Sequence, residues 1–383
     1  MPLWGDADPI PTIPNFVCGY GAYAGTVKSE SPTAIVVGAG IIGLTSAFRL
    51  ARSGYSVTIF DPTPARGATW AAAGMLAPSA ETSPGEESNY ALQSGAISMW
   101  RDLSAELFAL TGSRVSIHET GTLLVGWDVS DRRLVNQAGH VASSFGAACH
   151  EVDREGSSEF FTALSARITQ GLFMPDDAWV DPDQAVDILL RALEVLDVHV
   201  VVEKVQSVSG DEHGVQARTA TGSFSASKGI LATGALSVPG GVVTSGAHVV
   251  RPVHGVTMRV NGVDRSSLPT VRAFVRGRNF YMVSRPGGYC VLGATAEERS
   301  DLSVQVGELQ RLLRDALDIV PSLETATIVE NRFGLRPASD DLRPFFEILP
   351  RGGWAWSSGH YRHGVTLAPL AAQWALNFVE GAA

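Results

Sequence analysis

Cysteine is scarce. The chain has three, Cys18, Cys149 and Cys290, far apart and without a CxxC pair. That excludes a disulfide framework and a cysteine-based zinc site, and it fits a reducing cytoplasm. No apolar run reaches the ~18 residues of a membrane span. Positive charge is in deficit, with 29 Lys and Arg against 39 Asp and Glu, a net charge of −10. Such a surface is a poor partner for phosphate backbones or anionic lipid, so neither nucleic acid nor membrane is expected as a partner. Lysine is nearly missing: Lys28, Lys204 and Lys228 stand against 26 arginines, which reads as the codon usage of a GC-rich genome. Charged residues make up only 18% of the chain and apolar ones 45%, which excludes general disorder.

Glycine is plentiful, 40 of 383 residues, as in α/β proteins with tight turns and cofactor loops. The length suits two or three domains at roughly 150 residues each. Residues 1–32 read as an N-terminal extension. Pro2, Pro9, Pro11 and Pro14 break any regular element, and there is no basic start or apolar core of a signal peptide. Regular structure starts at Ala34. Ala34-Ile35-Val36-Val37 has the composition of a buried parallel strand, and Ile41, Ile42, Leu44, Ala47, Phe48, Leu50 and Ala51 recur at helical spacing. Gly54 closes that helix, and residues 56–60 form a second strand before Asp61-Pro62. This is a βαβ unit. Helices are expected over 89–112, 185–196, 306–320 and near 368–378. Strands are expected over 121–126, 198–202, 229–232 and 354–358, with 249–260 and 279–293 as strands of a second sheet. Residues 205–229 read as a β-meander turning at Gly210-Asp211 and Gly222.

Four motifs carry chemistry. Gly38-x-Gly40-x-x-Gly43 lies between strand and helix, with Asp61 closing the next strand. Its glycines allow a tight turn and close approach to a pyrophosphate, the helix N-terminus supplies amide donors, and the acid accepts from ribose hydroxyls. The motif does not separate NAD from FAD. Ala71-Ala72-Ala73-Gly74-Met75-Leu76 is small enough to lie flat against a planar ring, though taken alone a helix start of good formers explains it equally simply. Gly334-Leu335-Arg336-Pro337-Ala338-Ser339 sets an arginine beside a rigid proline, a fork suited to a small carboxylate, whereas a surface arginine would look the same in isolation. Gly359-His360-Tyr361-Arg362-His363-Gly364 precedes the last helix and reads as a site loop; its two histidines lack the further ligands of a metal site.

With Ala232-Thr233-Gly234, Phe280-Tyr281-Met282-Val283-Ser284-Arg285 and Gly293-Ala294-Thr295, these segments occur in the order seen in the D-amino acid oxidase superfamily. The chain resembles its glycine oxidase branch, the flavoenzymes of bacterial thiamine biosynthesis, from about residue 34 to 378. The resemblance implies an α/β (α+β overall) fold: a Rossmann-type FAD-binding domain (33–92, 182–250 and 330–383) interleaved with an antiparallel-sheet substrate domain (93–181 and 251–329). It implies noncovalent FAD. Gly38, Gly40, Ile41, Ile42 and Gly43 would lie at the pyrophosphate, Asp61 at the adenosine ribose and Val205 at the adenine. Ala68, Thr69, Ala73, Gly74 and Met75 would approach the flavin, and His360, Tyr361, Arg362, His363, Gly364, Val365 and Thr366 would pass its pyrimidine edge.

By the same resemblance, Arg336 pairs with the substrate carboxylate, Tyr281 assists it, and Arg362 is a second arginine near the substrate. The implied reaction is oxidative deamination of glycine, with sarcosine or small D-amino acids as further substrates. A hydride passes from Cα to flavin N5, dioxygen is reduced to hydrogen peroxide, and the imine of glyoxylate is supplied to the thiazole of thiamine. A cytoplasmic homo-oligomer, a tetramer, is the expected assembly. Two alternatives stand beside this reading: a D-amino acid or secondary-amine dehydrogenase or oxidase with another substrate or acceptor, and a non-catalytic flavin-binding scaffold. Three residues depart from the family pattern and bear on packing or pocket shape: Glu347 in a normally apolar run, Ala296 for a bulkier methionine, and Asn279 where a histidine can occur.

Overall fold

The computed structural model describes residues 31–236, 238–242, 244–262 and 268–382, so the expected extension lies outside the described residues except at its end. The apolar, β-branched Thr33–Val37 strand pairs in parallel with Ser56–Phe60 on one side and Lys228–Leu231 on the other. Trp354–Ser358 and His199–Val201 extend this sheet in parallel, and Phe345–Ile348 closes it as an antiparallel edge, giving six strands. Both faces are covered, which is why its strands are continuously apolar. On one face the Ile41–Arg52, Pro182–Val195 and Ala368–Val379 helices bury Leu44, Phe48, Leu189 and Phe378 against Val36, Ile59 and Ile230. On the other, a three-stranded meander packs Val208, Val215 and Ala217 on Ile35, Val37, Phe60 and Leu231.

A second sheet of eight strands runs in the order Thr327–Ser339, Val250–Asn261, Tyr289–Gly293, Arg278–Arg285, Thr270–Val275, Thr122–Gly126, Gln170–Met174 and His150–Asp153. It is antiparallel except between Thr270–Val275 and Thr122–Gly126. Side chains alternate across it. One face packs Met258, Val260, Met282 and Leu292 against Leu312, Ala316 and Ile319 of the Val306–Ile319 helix. The opposite face carries Arg336, Arg332, Thr257, Arg259, Tyr281 and Arg285. Residues 32–383 pack as one unit.

The fold is mixed α/β, as expected, and the expected elements are found, with local corrections. The helix expected over 89–112 is two, Glu87–Ser94 and Ala96–Thr111, separated at Gly95. In the meander Asp211 still pairs with Gly214, so the first turn falls at Glu212-His213; Asp211 Oδ1 accepts from His213 N–H at 2.9 Å and fixes it there. Arg336-Pro337 lies within the thirteen-residue Thr327–Ser339 strand. That strand is the sheet's edge, the one position where a proline's missing N–H costs no ladder bond.

Candidate functional site

Three chain segments meet above the C-terminal ends of the parallel strands, where open α/β sheets take their ligands. The first is the glycine turn. Gly40 caps the Ile41–Arg52 helix, whose first turn holds no acidic side chain. A Cβ on Gly43 would stand 1.8 Å from the Gly38 carbonyl oxygen, so only glycine lets this helix close on its own turn. Asp61 is half-buried; its Oδ2 accepts from Ala39 N–H and its Oδ1 from Thr63 N–H, each at 2.7 Å. Two carboxylate lone-pair positions remain for ribose hydroxyls. Ile41 N–H donates to Thr69 Oγ1 at 2.9 Å, tying the turn to the second segment. Val205 is buried beside Val37 and Phe60.

The second segment runs from Ala68 to Glu81. A short Ala68–Ala71 helix lies against Gly334, where a Cβ would be 3.0 Å from Ala68 Cα. The chain then extends through Ala72, Ala73 and Gly74 into Met75–Leu76, so the alanine run is not a helix start. Arginines of the large sheet hold it down. Arg259 donates to the Trp70 and Ala72 carbonyls, Arg285 to the Ala73 carbonyl and Arg272 to the Ala80 carbonyl.

The third segment is 359–366. His360 bridges to Ala338, and Tyr361 N–H donates to the Pro337 carbonyl at 2.8 Å, so this loop is stitched to the Arg336 strand. Val365 accepts from Trp100 Nε1, and Thr366 Oγ1 donates to the Met75 carbonyl at 3.0 Å. Gly364 directly precedes Val365, just before the final helix.

Glu81 joins the second and third segments. It is buried, 3.3 Å from Arg272 Nη1 and 3.3 Å from His363 Nδ1, the latter contact lacking hydrogen-bond alignment. Burial alone would raise its pKa, but Arg272, His363 and Arg362 bring it down to about 2. His360 is pushed down to about 4 by burial, with the His363 ring adding to it, and burial lowers His363 as well. Both imidazoles are therefore neutral near pH 7. Arg362 is engaged from within, donating to Glu86 Oε2 and to the Glu81 carbonyl at 2.9 Å each.

Arg336 and Tyr281 are brought onto one sheet face. Arg336 faces Val253 across the ladder, and its guanidinium reaches back over Gly255, where a Cβ would come within 2.4 Å of Nη1. Tyr281 lies likewise over Gly293, where a Cβ would come within 2.3 Å of its hydroxyl. Burial pushes the Tyr281 phenol above its ordinary value, while Arg336 and Arg259 act against it. The two departures noted in the sequence near this face, Asn279 and Ala296, are both exposed. Glu347 is buried, its Oε1 accepting from Ser245 N–H at 2.7 Å, on the meander side of the parallel sheet.

Sequence reasoning missed Glu81, Arg272, Gly255 and the pairing of half-buried Glu86 with Arg362. A lone acid after the small-residue run 77–80 was the available signal for Glu81. Gly255 becomes visible only once the ladder is known.

The cradle suits a dinucleotide with a polar planar ring. Among the described residues, buried polar atoms without a hydrogen-bond partner include Thr233 Oγ1, His360 Nε2 and both ring nitrogens of His363. All follow the ends of parallel strands, and buried polar groups normally have partners. The fold and turn thus define a dinucleotide-binding oxidoreductase architecture. The chain belongs to the FAD dependent oxidoreductase (DAO) family, whose model matches residues 33–377. It is 29% identical to a glycine oxidase of Geobacillus kaustophilus over 90% of this chain and 92% of that one. It is 28% identical to a bifunctional protein ThiO/ThiG of Trichormus variabilis, covering 90% of this chain and 52% of the relative. The solved glycine oxidase structure from Geobacillus kaustophilus superimposes with a TM-score of 0.82 at 26% identity, covering 92% of this chain and 95% of that one. No helix among the described residues is long and apolar enough to cross a membrane.

Proposed function

We propose that the protein is an FAD-dependent glycine oxidase, holding a small amino acid by its carboxylate against the flavin. The observation that carries this reading is the state of Arg336. Arg259, Arg272, Arg285, Arg332 and Arg362 each bond carbonyls or carboxylates of the protein itself. Arg336 donates only to the Thr295 carbonyl, at 3.0 Å, and among the described residues no carboxylate lies within 4.0 Å of it. Its remaining N–H groups form a fork for a planar carboxylate.

When bound, FAD supplies the two-electron acceptor for the substrate Cα–H and passes the electrons to dioxygen as hydrogen peroxide. The chain's own residues bind and orient. Ile41, Ile42 and the glycines Gly38, Gly40 and Gly43 receive the pyrophosphate, Asp61 the adenosine ribose and Val205 the adenine. Ala68, Thr69 and Ala73 to Met75 lie along the ring. His360 to Thr366 line its pyrimidine edge, where the start of the Ala368–Val379 helix favours developing negative charge. Arg336 and Tyr281 fix the carboxylate, and Arg362, braced by Glu86, adds positive charge. Fixing Cα over the ring in this way can supply ~7 kcal/mol or more of the barrier.

The assignment includes the division into an FAD-binding part (33–92, 182–250, 330–383) and a substrate part (93–181, 251–329). It also includes a cytoplasmic homo-oligomer. It places the product in thiamine biosynthesis, a reading supported by the name of one relative, a putative thiamine biosynthesis oxidoreductase ThiO of Rhizobium etli. The test is a visible spectrum under anaerobic glycine. A yellow protein bleached by glycine and restored by air, with peroxide formed, supports the reading. Bleaching without reoxidation by air makes it a dehydrogenase, and a protein that takes up no FAD ends the proposal.

A further inference from the structure

Among the described residues Arg336 has one hydrogen bond, so whatever fixes its acceptor fixes the fork. That acceptor is the carbonyl of Thr295, which lies just past the Tyr289–Gly293 strand, so no ladder bond fixes it. Three other bonds do. Thr295 N–H donates to the Val256 carbonyl at 3.3 Å, Val256 N–H donates to Thr295 Oγ1 at 2.9 Å, and Thr295 Oγ1 donates to Glu308 Oε1 at 3.1 Å. Val256 follows Gly255, the residue beneath the guanidinium. The same two residues of one strand therefore support Arg336 from below and, through Thr295, from its flank.

Glu308 is fully buried at the third position of the Val306–Ile319 helix, where it completes a capping box with Gln305. Its Oε2 accepts from Gln305 N–H at 2.9 Å and from Arg299 Nη2 at 2.7 Å. A capping box needs one oxygen there, and glutamine serves as well as glutamate. The other oxygen, Oε1, faces Thr295, with His254 Nδ1 at 3.3 Å. His254 and Arg299 are themselves 3.1 Å apart, so the carboxylate is held from several directions. Burying a charge this completely is costly unless its partners are fixed.

We propose that Thr295 and Glu308 are positioning residues for substrate recognition: the buried Glu308 carboxylate anchors the Thr295 hydroxyl, which sets the carbonyl that aims Arg336 at the substrate carboxylate. This rests on the reading of Arg336 given above. Neither residue touches the substrate; they set how tightly it is held and leave the reacting geometry at the ring unchanged.

The test compares FAD-loaded wild type with Thr295→Val, Thr295→Ser, Glu308→Gln and Arg336→Leu. Sodium acetate, a carboxylate without an amine, is titrated by calorimetry, and glycine oxidation gives kcat and KM. Thr295→Val loses both hydroxyl bonds. It should weaken acetate binding and raise the glycine KM by about tenfold, with kcat within about twofold. Thr295→Ser should restore both, and Glu308→Gln should fall between. If Arg336→Leu loses acetate while Thr295→Val binds it like wild type, the positioning role is wrong and the clamp stands. If Thr295→Val lowers kcat or FAD content with KM unchanged, the residue is merely structural and the proposal falls. If Arg336→Leu binds acetate normally, both readings fall together.

Discussion

At the candidate site the parallel sheet presents backbone, and the eight-stranded sheet presents side chains. In the first, the Gly38–Gly43 turn excludes even a methyl group, and Asp61 is pinned by two backbone N–H groups. In the second, one face carries five arginines, at 259, 272, 285, 332 and 336. Four of them bond the chain itself, at Trp70, Ala72, Ala73, Ala80 and Asp183. Their charge is mostly mortar, fastening residues 70–80 and Asp183 to the sheet. Arg336, the arginine proposed for the substrate carboxylate, has a single hydrogen bond among the described residues, to the Thr295 carbonyl. A basic face is therefore no measure of recognition until its internal partners are subtracted.

Substitutions can separate the two modes. The largest effect is expected at Gly43. Gly43→Val puts branched carbon where a Cβ already stands 1.8 Å from a carbonyl oxygen, and the turn must open. FAD content of the purified protein should fall more than about a hundredfold, well beyond an ordinary core overpacking. Arg336→Leu comes next. Removing one partner of a charged hydrogen-bonded pair costs about 2–5 kcal/mol, so kcat/KM for glycine should drop by between about 30-fold and several thousandfold, with FAD content unchanged. Arg332→Gln sharpens the contrast from the other side. Arg332 is tied to Asp183 at 2.7 Å and to the Trp70 carbonyl at 3.1 Å, so its loss should lower stability by about 1–2 kcal/mol in denaturant titration and leave the glycine KM within about twofold.

The smallest effect is in pH. His360 titrates at about 4 in the folded protein against 6.5 for the free side chain. The unfolded chain therefore takes up its proton first as pH falls, and stability should decline from about pH 6.5 toward 4. His360→Gln should shrink that decline in melting temperatures measured across the window. A decline of equal size in the variant would show that His360 is not the group responsible.

The nucleotide half was legible because its chemistry is local. A strand, a glycine turn, a helix and an acidic end lie within about thirty residues, and steric need fixes their spacing. The Ser56–Phe60 and Trp354–Ser358 strands stand where their apolar runs place them. The substrate half was legible only through resemblance. Nothing near Arg336 or Tyr281 in the chain reveals that Gly255 and Gly293 lie beneath them, because those neighbours come from ladder register between strands distant in sequence. The Thr327–Ser339 strand was missed for a related reason: its first half is exposed, with Ile328 and Val329 adjacent and no alternating pattern. Arg362 read as a second arginine near the substrate, and its pairing with Glu86 became visible only when the loops met.

The most direct measurement is FAD affinity of the Arg336→Leu apoprotein beside its response to glycine. If backbone holds the flavin and a side chain holds the substrate, the dissociation constant for FAD stays within about twofold of wild type while glycine no longer reduces the bound flavin at wild-type concentrations. Flavin released from the variant, with glycine affinity intact, would contradict the account.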